Sequence, residues 1–405
     1  MNLKIERKSM SELITFKQYG KQQNWVDGKV YGPSSEKNIS VISPYYDKEI
    51  AVISDSNAED LNQAVINAKN VFPDWAATNI RDRAEEMYNL KSIMKNDIEQ
   101  LAHLVALDNG KTIADAKGSI LRGMEVIEFA ISLPNLLKGD SSNVSQGITC
   151  TMTNEPLGIV GGITPFNFPI MVPLWMIPTA ITTGNCFILK PSEQTPLAAL
   201  KLAEYFKEAG LPDGVLNVVN GSREVVESMC DHPDIKAVAF VGSTKVAKIV
   251  YARATANGKR ALCLGGAKNH MIVVPDADQD STAKGLLASS MGSAGQRCMA
   301  ASVAVCVSEV DPIIDQLVEE AKGFKLGIDM GTIVSKDAYN RILNYINEAE
   351  EMGATILVDG RNETPPKEYE NGYWIGATIL DHVNPDWPCA KEEIFGPVLS
   401  IIRTD

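Results

Sequence analysis

The sequence has few of the residues that build metal centres, disulfide frameworks or nucleic-acid-binding faces. Its four histidines are scattered and form no metal-ligand cluster, and its seven cysteines are an odd number without a CxxC pair. This pattern argues against a disulfide framework and favours a reducing compartment, which predicts a cytoplasmic protein. Positive charge is also scarce, because 38 lysines and arginines face 51 aspartates and glutamates, for a net charge of −13. That balance argues against nucleic acid as a partner.

Apolar runs suited to a membrane are missing as well. The first ten residues, MNLKIERKSM, are polar and lack the apolar run of a signal peptide. Residues 156–189 carry no charged side chain, but five prolines and four glycines interrupt them. We therefore predict a buried strand, loop and helix in this segment and no membrane contact.

With 405 residues, of which 45% are apolar, the chain is long enough for more than one domain with its own core. Its first third predicts helices over residues 57–75, 81–109 and 113–137, and ITCTMTNEP then alternates like an exposed hairpin strand. From Leu157 onward, short apolar runs alternate with amphipathic segments, and a second such pattern begins near Leu264. This alternation is typical of an α/β fold with parallel sheets.

Two loops carry residues that suit a dinucleotide, since parallel sheets bind ligands beyond the carboxyl ends of their strands. Lys190-Pro191-Ser192-Glu193 places a cation and a carboxylate after a strand, a combination that suits ribose hydroxyls. Gly242-Ser243-Thr244 opens a helix and offers free backbone N–H groups to a pyrophosphate. Taken alone, each pattern favours a simple helix cap, and the sequence has no GxGxxG fingerprint.

A third loop contains a candidate nucleophile. In Gly295-Gln296-Arg297-Cys298, a cysteine stands beside an arginine in a Gly- and Ala-rich turn, and this setting favours the reactive thiolate. The alternative is an inert buried thiol, and position alone does not separate the two interpretations. Five other cysteines lack a polar neighbour and are interpreted as structural: Cys150, Cys186, Cys230, Cys306 and Cys389.

Five motifs together resemble the aldehyde dehydrogenase superfamily in identity, order and approximate separation. They are Pro165-Phe166-Asn167-Phe168-Pro169, Lys190-Pro191-Ser192-Glu193, Phe240-Val241-Gly242-Ser243-Thr244, Gly295-Gln296-Arg297-Cys298 and Glu392-Glu393-Ile394-Phe395-Gly396-Pro397. The resemblance extends from about Trp25 to Asp405. Within the superfamily, residues 265–270 and 297–300 look like the methylmalonate-semialdehyde dehydrogenases, which form a CoA-acylating branch.

One departure from the general superfamily pattern supports this branch. Hydrolytic members carry a glutamate general base in a Glu-Leu-Gly-Gly-Lys motif. Aligned on Lys268, the position of that glutamate falls on Leu264, and aligned on the two glycines it falls on Cys263. Neither side chain can take a proton from water as a carboxylate would. A thiol such as CoA is therefore the expected acceptor of the acyl group.

The resemblance also implies the domain organisation. We expect a Rossmann-like NAD-binding domain at residues 1–140 and 155–263, an oligomerisation β-hairpin at 141–154, and a parallel-sheet catalytic domain at 264–405. The hairpin implies a homodimer or homotetramer. Relatives continue beyond the position of Asp405, so the catalytic domain is expected to be incomplete at its C-terminal end.

Site residues follow from the resemblance position by position. Cys298 is the implied nucleophile, and the Asn167 amide is implied to stabilise the oxyanion. Arg122 and Arg297 are the implied ligands of a substrate carboxylate, and no metal is expected. NAD is favoured over NADP, because Glu193 would repel a 2′-phosphate. The implied NAD contacts are Thr164, Phe166, Lys190, Glu193, Gln194, Ser243, Gly265, Glu393 and Phe395.

The leading hypothesis is NAD-dependent oxidation of malonate or methylmalonate semialdehyde through a cysteine thioester. Decarboxylation and transfer to CoA would then give acetyl-CoA or propionyl-CoA. Two alternatives stay open. One is a hydrolytic, NAD(P)-dependent aldehyde dehydrogenase that releases a free acid, and the other is a catalytically idle, truncated member of the superfamily.

Overall fold

A computed structural model describes residues 14–405 of the chain. The strands are β1 (Gly20–Gln22), β2 (Asn24–Val26), β3 (Lys29–Tyr31), β4 (Asn38–Ser43), β5 (Lys48–Ser54), β6 (Asp140–Ser145), β7 (Ile148–Met152), β8 (Ile159–Ile163), β9 (Cys186–Lys190), β10 (Leu216–Val218), β11 (Ile235–Val241), β12 (Arg260–Leu264), β13 (Asn269–Val273), β14 (Ala301–Val307), β15 (Thr355–Val358), β16 (Thr378–Asp381) and β17 (Val398–Thr404). The α-helices are α1 (Ala58–Ala77), α2 (Ile80–Asn96), α3 (Ile98–Asn109), α4 (Ile113–Leu136), α5 (Met171–Thr182), α6 (Leu197–Glu208), α7 (Arg223–Asp231), α8 (Thr244–Ala256), α9 (Gln279–Met291), α10 (Asp311–Lys322), α11 (Lys336–Glu351) and α12 (Pro388–Lys391). Short 3₁₀ turns lie at Gly292–Gly295 and Lys367–Tyr369.

The larger parallel sheet has the strand order β12-β11-β8-β9-β10-β2-β3. Its first five strands, β12, β11, β8, β9 and β10, run parallel to one another. At one edge, β2 pairs with β10 and β3 pairs with β2, both in antiparallel orientation. Helices α5 to α8 connect its parallel strands in turn, which confirms the predicted alternation. The chain winds outward from β8 to β10 and then crosses back to β11. The order therefore reverses between β8 and β11, and such a switch point is where open α/β sheets bind ligands.

The second sheet has the order β13-β14-β17-β16-β15, in which only β15 runs antiparallel. Strands β16 and β17 were not predicted from the sequence, although β17 lies in the middle of this sheet. Strand β16 has four residues, all buried, and β17 begins with five consecutive buried residues. Fully buried strands of this kind show no alternation, so periodicity does not reveal them. A small third sheet has the order β1-β5-β4.

The helical layer begins where the sequence predicts. The Asn57 side chain caps α1, and the Asp60 carboxylate accepts a hydrogen bond from the Asn57 backbone N–H, so the helix starts with a full capping box. The helix predicted over residues 81–109 is in fact two helices, α2 and α3, which meet at Asp97. At the break, the Asp97 carboxylate accepts a hydrogen bond from the Tyr205 hydroxyl of α6. Helix α4 packs against α2, α3 and α5.

The predicted hairpin is formed by β6 and β7, which pair in antiparallel register around a Gln146-Gly147 turn. Every residue of both strands is exposed, including three large apolar side chains, those of Val144, Ile148 and Met152. The hairpin therefore contributes no side chain to the core of its own chain.

The boundaries predicted for the domains stay predictions. Strand β12 belongs to the larger sheet through Leu264, and β13 of the second sheet starts at Asn269, so residues 265–268 link the two sheets. Residues 1–13 of the predicted NAD-binding domain lie outside the described residues. Between residues 14 and 405, no helix is both long enough and apolar enough to cross a membrane.

Candidate active site

A cavity of about 480 Å³ lies beside the switch point of the larger sheet. It is lined by loops that follow β8 and β11 and by loops that precede β14 and β17. The carboxyl edge of one sheet thus meets the amino edge of the other. Eight of the residues predicted from the sequence line this cavity: Phe166, Asn167, Gln194, Ser243, Gly265, Cys298, Glu393 and Phe395.

The loop that carries Cys298 lies between α9 and β14, at the amino edge of the second sheet, whereas the other two predicted loops follow the carboxyl ends of β9 and β11. The general rule describes one isolated α/β sheet. Here the cavity lies between two sheets, so one of them contributes its opposite edge.

A left-handed turn places the cysteine loop. After α9, the residues Ser293, Ala294 and Gly295 have φ angles of 53°, 53° and 68°. Only Gly295 takes this conformation without steric cost, and a Cβ added there would lie 1.9 Å from the Gly396 carbonyl oxygen. The turn therefore packs backbone against backbone beside Cys298. Stored backbone strain of this kind concentrates at functional sites.

The backbone of Cys298 is held from the neighbouring strand. The Asn269 side chain, at the start of β13, donates hydrogen bonds to the carbonyl oxygens of Cys298, at 2.9 Å, and Ala300, at 3.0 Å. Cys298 itself is partly exposed and lines the cavity, so its thiol is accessible to a small electrophile.

Asn167 is buried and held at both ends. Its backbone carbonyl accepts a hydrogen bond from Lys111 Nζ at 2.7 Å. Its side-chain Nδ2 donates to the Gln296 carbonyl oxygen at 3.0 Å. An amide nitrogen carries two hydrogens, so one N–H of Asn167 is left for a ligand in the cavity that it shares with Cys298.

Two of these contacts were not anticipated. Gln296 was recognised only as part of a motif, yet its buried side chain donates to the Thr332 carbonyl and accepts from the Val334 backbone N–H. Lys111 was not singled out at all. A signal was present, because Gly110 ends α3 in a left-handed conformation and Thr112 caps α4, which isolates one lysine between two helices.

The predicted ribose and pyrophosphate groups follow β9 and β11, the two strands that flank β8 in the larger sheet. Lys190 Nζ donates to Glu193 Oε2 at 2.7 Å. Burial would raise the pKa of Glu193, but the adjacent ammonium outweighs it and lowers that pKa. Glu193 therefore stays an acceptor for hydroxyl groups. Ser243 stands at the N-terminus of α8, and its side chain makes no capping hydrogen bond, so the interpretation as a simple cap is not supported there.

Two glycines and a carboxylate shape the other side of the cavity. A Cβ on Gly266 would lie 2.0 Å from Glu393 Oε2, and one on Gly265 would lie 3.1 Å from the Thr244 Cα. Glu393 accepts a hydrogen bond from the Ala267 backbone N–H at 3.3 Å, and burial raises its pKa. The backbone at Gly265 and Gly266 thus leaves room that a side chain would fill.

The structure does not bring the two predicted carboxylate ligands into the cavity. Arg122 lies on α4 with its side chain 72% exposed, and its Nη1 pairs with Glu125 Oε2 at 3.0 Å. Arg297 is partly buried, and its Nη1 lies 3.4 Å from the Ala288 carbonyl oxygen. Adjacency to Cys298 in sequence does not fix side-chain direction. The roles of both arginines stay predictions.

The remaining predicted contact, Thr164, is buried directly after β8, and its backbone N–H donates to the Lys190 carbonyl at 3.1 Å. It therefore joins the carboxyl ends of β8 and β9 next to the cavity. The positions that would hold a hydrolytic base carry no carboxylate. Cys263 is partly buried with a pKa raised by burial, and Leu264 is 44% exposed.

This arrangement fits a dinucleotide. An uncapped helix N-terminus at a switch point suits a pyrophosphate, and a lysine–glutamate pair after β9 suits a ribose. The two glycines leave a cradle beside the cysteine. Within the described part of the chain, no group of three or more His, Cys, Asp or Glu side chains is arranged to hold a metal ion.

Comparison with known proteins decides the family. The aldehyde dehydrogenase family model matches residues 31–405. The chain belongs to the aldehyde dehydrogenase family. The resemblance inferred from the five motifs is thereby confirmed.

Similar aldehyde dehydrogenases indicate the branch. Malonate-semialdehyde dehydrogenase 1 of Oceanobacillus iheyensis is 44% identical over 94% of this chain and 80% of its own length. The mitochondrial methylmalonate-semialdehyde/malonate-semialdehyde dehydrogenase [acylating] of Bos taurus is 40% identical over 94% of this chain and 72% of its own length. A Sinorhizobium meliloti protein, described as a methylmalonate-semialdehyde dehydrogenase and crystallised with NAD, has a TM-score of 0.94 and 44% identity over 96% of this chain and 81% of that one.

Proposed function

We propose that this protein is an NAD-dependent, CoA-acylating dehydrogenase of malonate or methylmalonate semialdehyde. The proposal is supported by a cavity that both Cys298 and Asn167 line, and by Cys263 and Leu264 at the positions where a hydrolytic base would stand. Relatives that are 40–45% identical and carry the names of semialdehyde dehydrogenases support the substrate class.

Cys298 begins the reaction. Its thiolate adds to the aldehyde carbon, and the carbonyl oxygen becomes an oxyanion. The free N–H of Asn167 and the backbone N–H of Cys298 are the donors for this oxyanion, and each such donor contributes on the order of 3 kcal/mol in other enzymes. NAD, when bound, takes up the hydride that leaves the former aldehyde carbon. Cys298 then carries the acyl group as a thioester.

The acyl group loses carbon dioxide before it leaves. Breaking the bond to the β-carboxylate transfers its electron pair to the thioester as an enolate, which the same two donors stabilise. Protonation of the enolate carbon gives acetyl or propionyl thioester. The CoA thiolate then attacks the carbonyl carbon, and the Cys298 thiolate departs. No water needs to be activated in this sequence, which is consistent with the side chains at 263 and 264.

The residues around the cavity account for NAD binding in this proposal. Lys190 and Glu193 hold the adenosine ribose, and Ser243 with the N-terminus of α8 holds the pyrophosphate. Glu193, kept ionised by Lys190, disfavours a 2′-phosphate, so NAD is preferred to NADP.

The quaternary structure and location belong to the same proposal. The hairpin of β6 and β7 exposes every residue, and an exposed strand edge is a site for pairing with another chain. We therefore propose a homodimer or homotetramer that uses this hairpin, which light scattering of the parent and an Ile148→Lys variant would test. All seven thiols are unpaired, in keeping with a reducing, cytoplasmic setting.

The test is NADH formation with malonate semialdehyde, followed through the first turnover and the steady state, with and without CoA. A burst equal to the enzyme concentration without CoA, which becomes continuous turnover when CoA is added, supports the proposal. Continuous turnover without CoA would indicate hydrolysis, and no burst in either case would indicate a catalytically idle protein or another substrate class.

A pair of cysteine variants provides the control. Cys298→Ala should abolish the burst, because it removes the nucleophile. Cys150→Ala removes an exposed thiol on the hairpin and should leave the burst unchanged. Loss of the burst in both variants would contradict the assignment of the nucleophile.

A further inference from the structure

Lys111 is a buried cation that the proposed reaction does not use. It lies between α3 and α4, only 2% exposed, and its Nζ donates to the Asn167 carbonyl oxygen at 2.7 Å. The same Nζ lies 4.1 Å from the centroid of the Phe168 ring. Its contacts therefore fall on Asn167, the residue that carries the oxyanion amide, and on the residue that follows it.

The charged and titratable groups around Lys111 come from three directions. Asp115 lies one turn along α4, Arg297 belongs to the cysteine loop, and Tyr45 donates its hydroxyl to the Lys111 carbonyl from the turn between β4 and β5. Burial lowers the pKa of Lys111 to about 8, Asp115 opposes this shift, and Arg297 adds to it. Asp115 also accepts a hydrogen bond from the Ser293 backbone N–H in the left-handed turn.

Packing alone does not account for an amine at this position. Burying an ammonium is costly unless it is paired or hydrogen-bonded, and a methionine would fill a similar volume without that cost. The lysine makes its described hydrogen bond to a backbone carbonyl of the site and not to a carboxylate. Asn109 donates in the same way to the preceding carbonyl, that of Phe166, at 2.9 Å. Asn109 and Lys111 thus hold the carbonyl groups of two successive residues, Phe166 and Asn167.

We propose that Lys111 is a positioning residue for the oxyanion site. By holding the Asn167 carbonyl while the Gln296 carbonyl takes one amide hydrogen, it directs the other hydrogen of Asn167 into the cavity. It acts on the acyl-transfer steps and leaves the thiol of Cys298 itself unaffected. The inference rests on the proposed function only in that Cys298 and Asn167 carry the chemistry.

Two probes separate these effects, and neither requires NAD or a semialdehyde. The release of p-nitrophenolate from p-nitrophenyl acetate measures acyl transfer to Cys298 through an oxyanion. Alkylation by iodoacetamide measures the thiol without forming an oxyanion. In Lys111→Met we expect acylation to slow by about tenfold or more, since misplacement of a catalytic group by about 1 Å can cost up to about 100-fold. Alkylation should stay within about twofold of the parent, because the thiol keeps its surroundings.

Lys111→Arg and Lys117→Met are the matched variants. Lys111→Arg keeps the charge and should recover part of the acylation rate. Lys117 lies on α4, the helix that follows Lys111, and pairs with Glu99, so Lys117→Met should match the parent with both probes. Parent-like acylation in Lys111→Met, or an equal loss with both probes, would overturn the proposal.

A pH profile of the parent gives a second test that does not depend on how Lys111→Met folds. Both probes follow thiolate formation, so their ratio removes that shared dependence. The ratio of acylation to alkylation should fall as the pH rises through about 8, because the neutral amine of Lys111 donates more weakly to the Asn167 carbonyl than the ammonium does. This fall should be absent in Lys111→Arg. A ratio that is flat through that range contradicts the proposal. A parent that reacts with p-nitrophenyl acetate but gives no NADH burst would refute the proposed function and leave this test intact.

Discussion

Replacing Gly295 with alanine tests whether the left-handed turn sets the position of the nucleophile. Gly295 has a φ of +68°, and its added Cβ would lie 1.9 Å from the Gly396 carbonyl oxygen and 2.8 Å from the Pro397 nitrogen. Both obstacles are backbone atoms, so neither can rotate away. The left-handed conformation costs an alanine about 1–2 kcal/mol. Forced overpacking adds about 1–3 kcal/mol. The free energy of unfolding should therefore fall by about 2–5 kcal/mol in Gly295→Ala.

Gly258 offers a matched control. Its φ is +72°, nearly the same as that of Gly295, but a Cβ there would meet no heavy atom within 4 Å. Gly258→Ala should therefore lose only the conformational part, about 1–2 kcal/mol. The difference between the two variants measures the contacts with the backbone of Gly396 and Pro397.

Urea unfolding and the rate of Cys298 acylation are the two measurements. Gly258→Ala should acylate at the parent rate, because the substitution lies at the end of α8 and outside the cavity. Gly295→Ala should acylate more slowly by on the order of 100-fold, since the loop must move to relieve the contact. If the two variants unfold and acylate alike, the turn does not position the nucleophile and the reasoning fails.

Three further predictions concern charged side chains. Arg83 donates to backbone carbonyls at the ends of α1 and α5, so Arg83→Met should lower the free energy of unfolding in urea by about 3 kcal/mol. The control Arg81→Met should change it by less than about 0.5 kcal/mol, and equal effects of the two substitutions would contradict this. Arg297→Ala should reduce kcat/KM for malonate semialdehyde by an equivalent of about 1.5–3 kcal/mol and leave propanal unaffected, and equal losses on both aldehydes would remove Arg297 from carboxylate binding. Burial raises the pKa of Asp108 well above its usual range, so the folded state loses stability as the pH rises through that pKa and the buried carboxyl must ionise. Asp108→Asn should therefore unfold with a higher free energy than the parent at neutral pH, and a gain that persists unchanged in acid would refute this.

Much of the fold could be predicted because its signals are local. The cap at Asn57, the apolar runs of β8 and β9 and the amphipathic period of α11 each depend on neighbouring residues. The central strand β17 and the break between α2 and α3 at Asp97 could not be predicted. Strand β17 pairs with β14 and β16, and Asp97 contacts Tyr205 of α6, and local periodicity does not show such contacts between distant segments.

Some residues of the candidate site could likewise be predicted from the sequence, and others could not. Cys298, Asn167 and Glu393 were found from the order of motifs and line one cavity. Arg122 was placed on the substrate by its sequence neighbourhood, but its side chain points to solvent and pairs with Glu125. Side-chain direction on a helix depends on what packs against each face, and the motif pattern does not show it.

The sequence by itself determined the chemical groups of this protein: a thiol and a side-chain amide in separate motifs, the residues suited to NAD, and no carboxylate where a hydrolytic base would stand. Only the tertiary structure decided how these groups are held. Lys111 is separated from Asn167 by 56 residues, and Asn167 from Gln296 by 129, yet direct hydrogen bonds join each pair. Each residue type can be read directly from the sequence. The position of the Asn167 amide, in contrast, is set by long-range contacts that form only when the two sheets and the helical layer pack together.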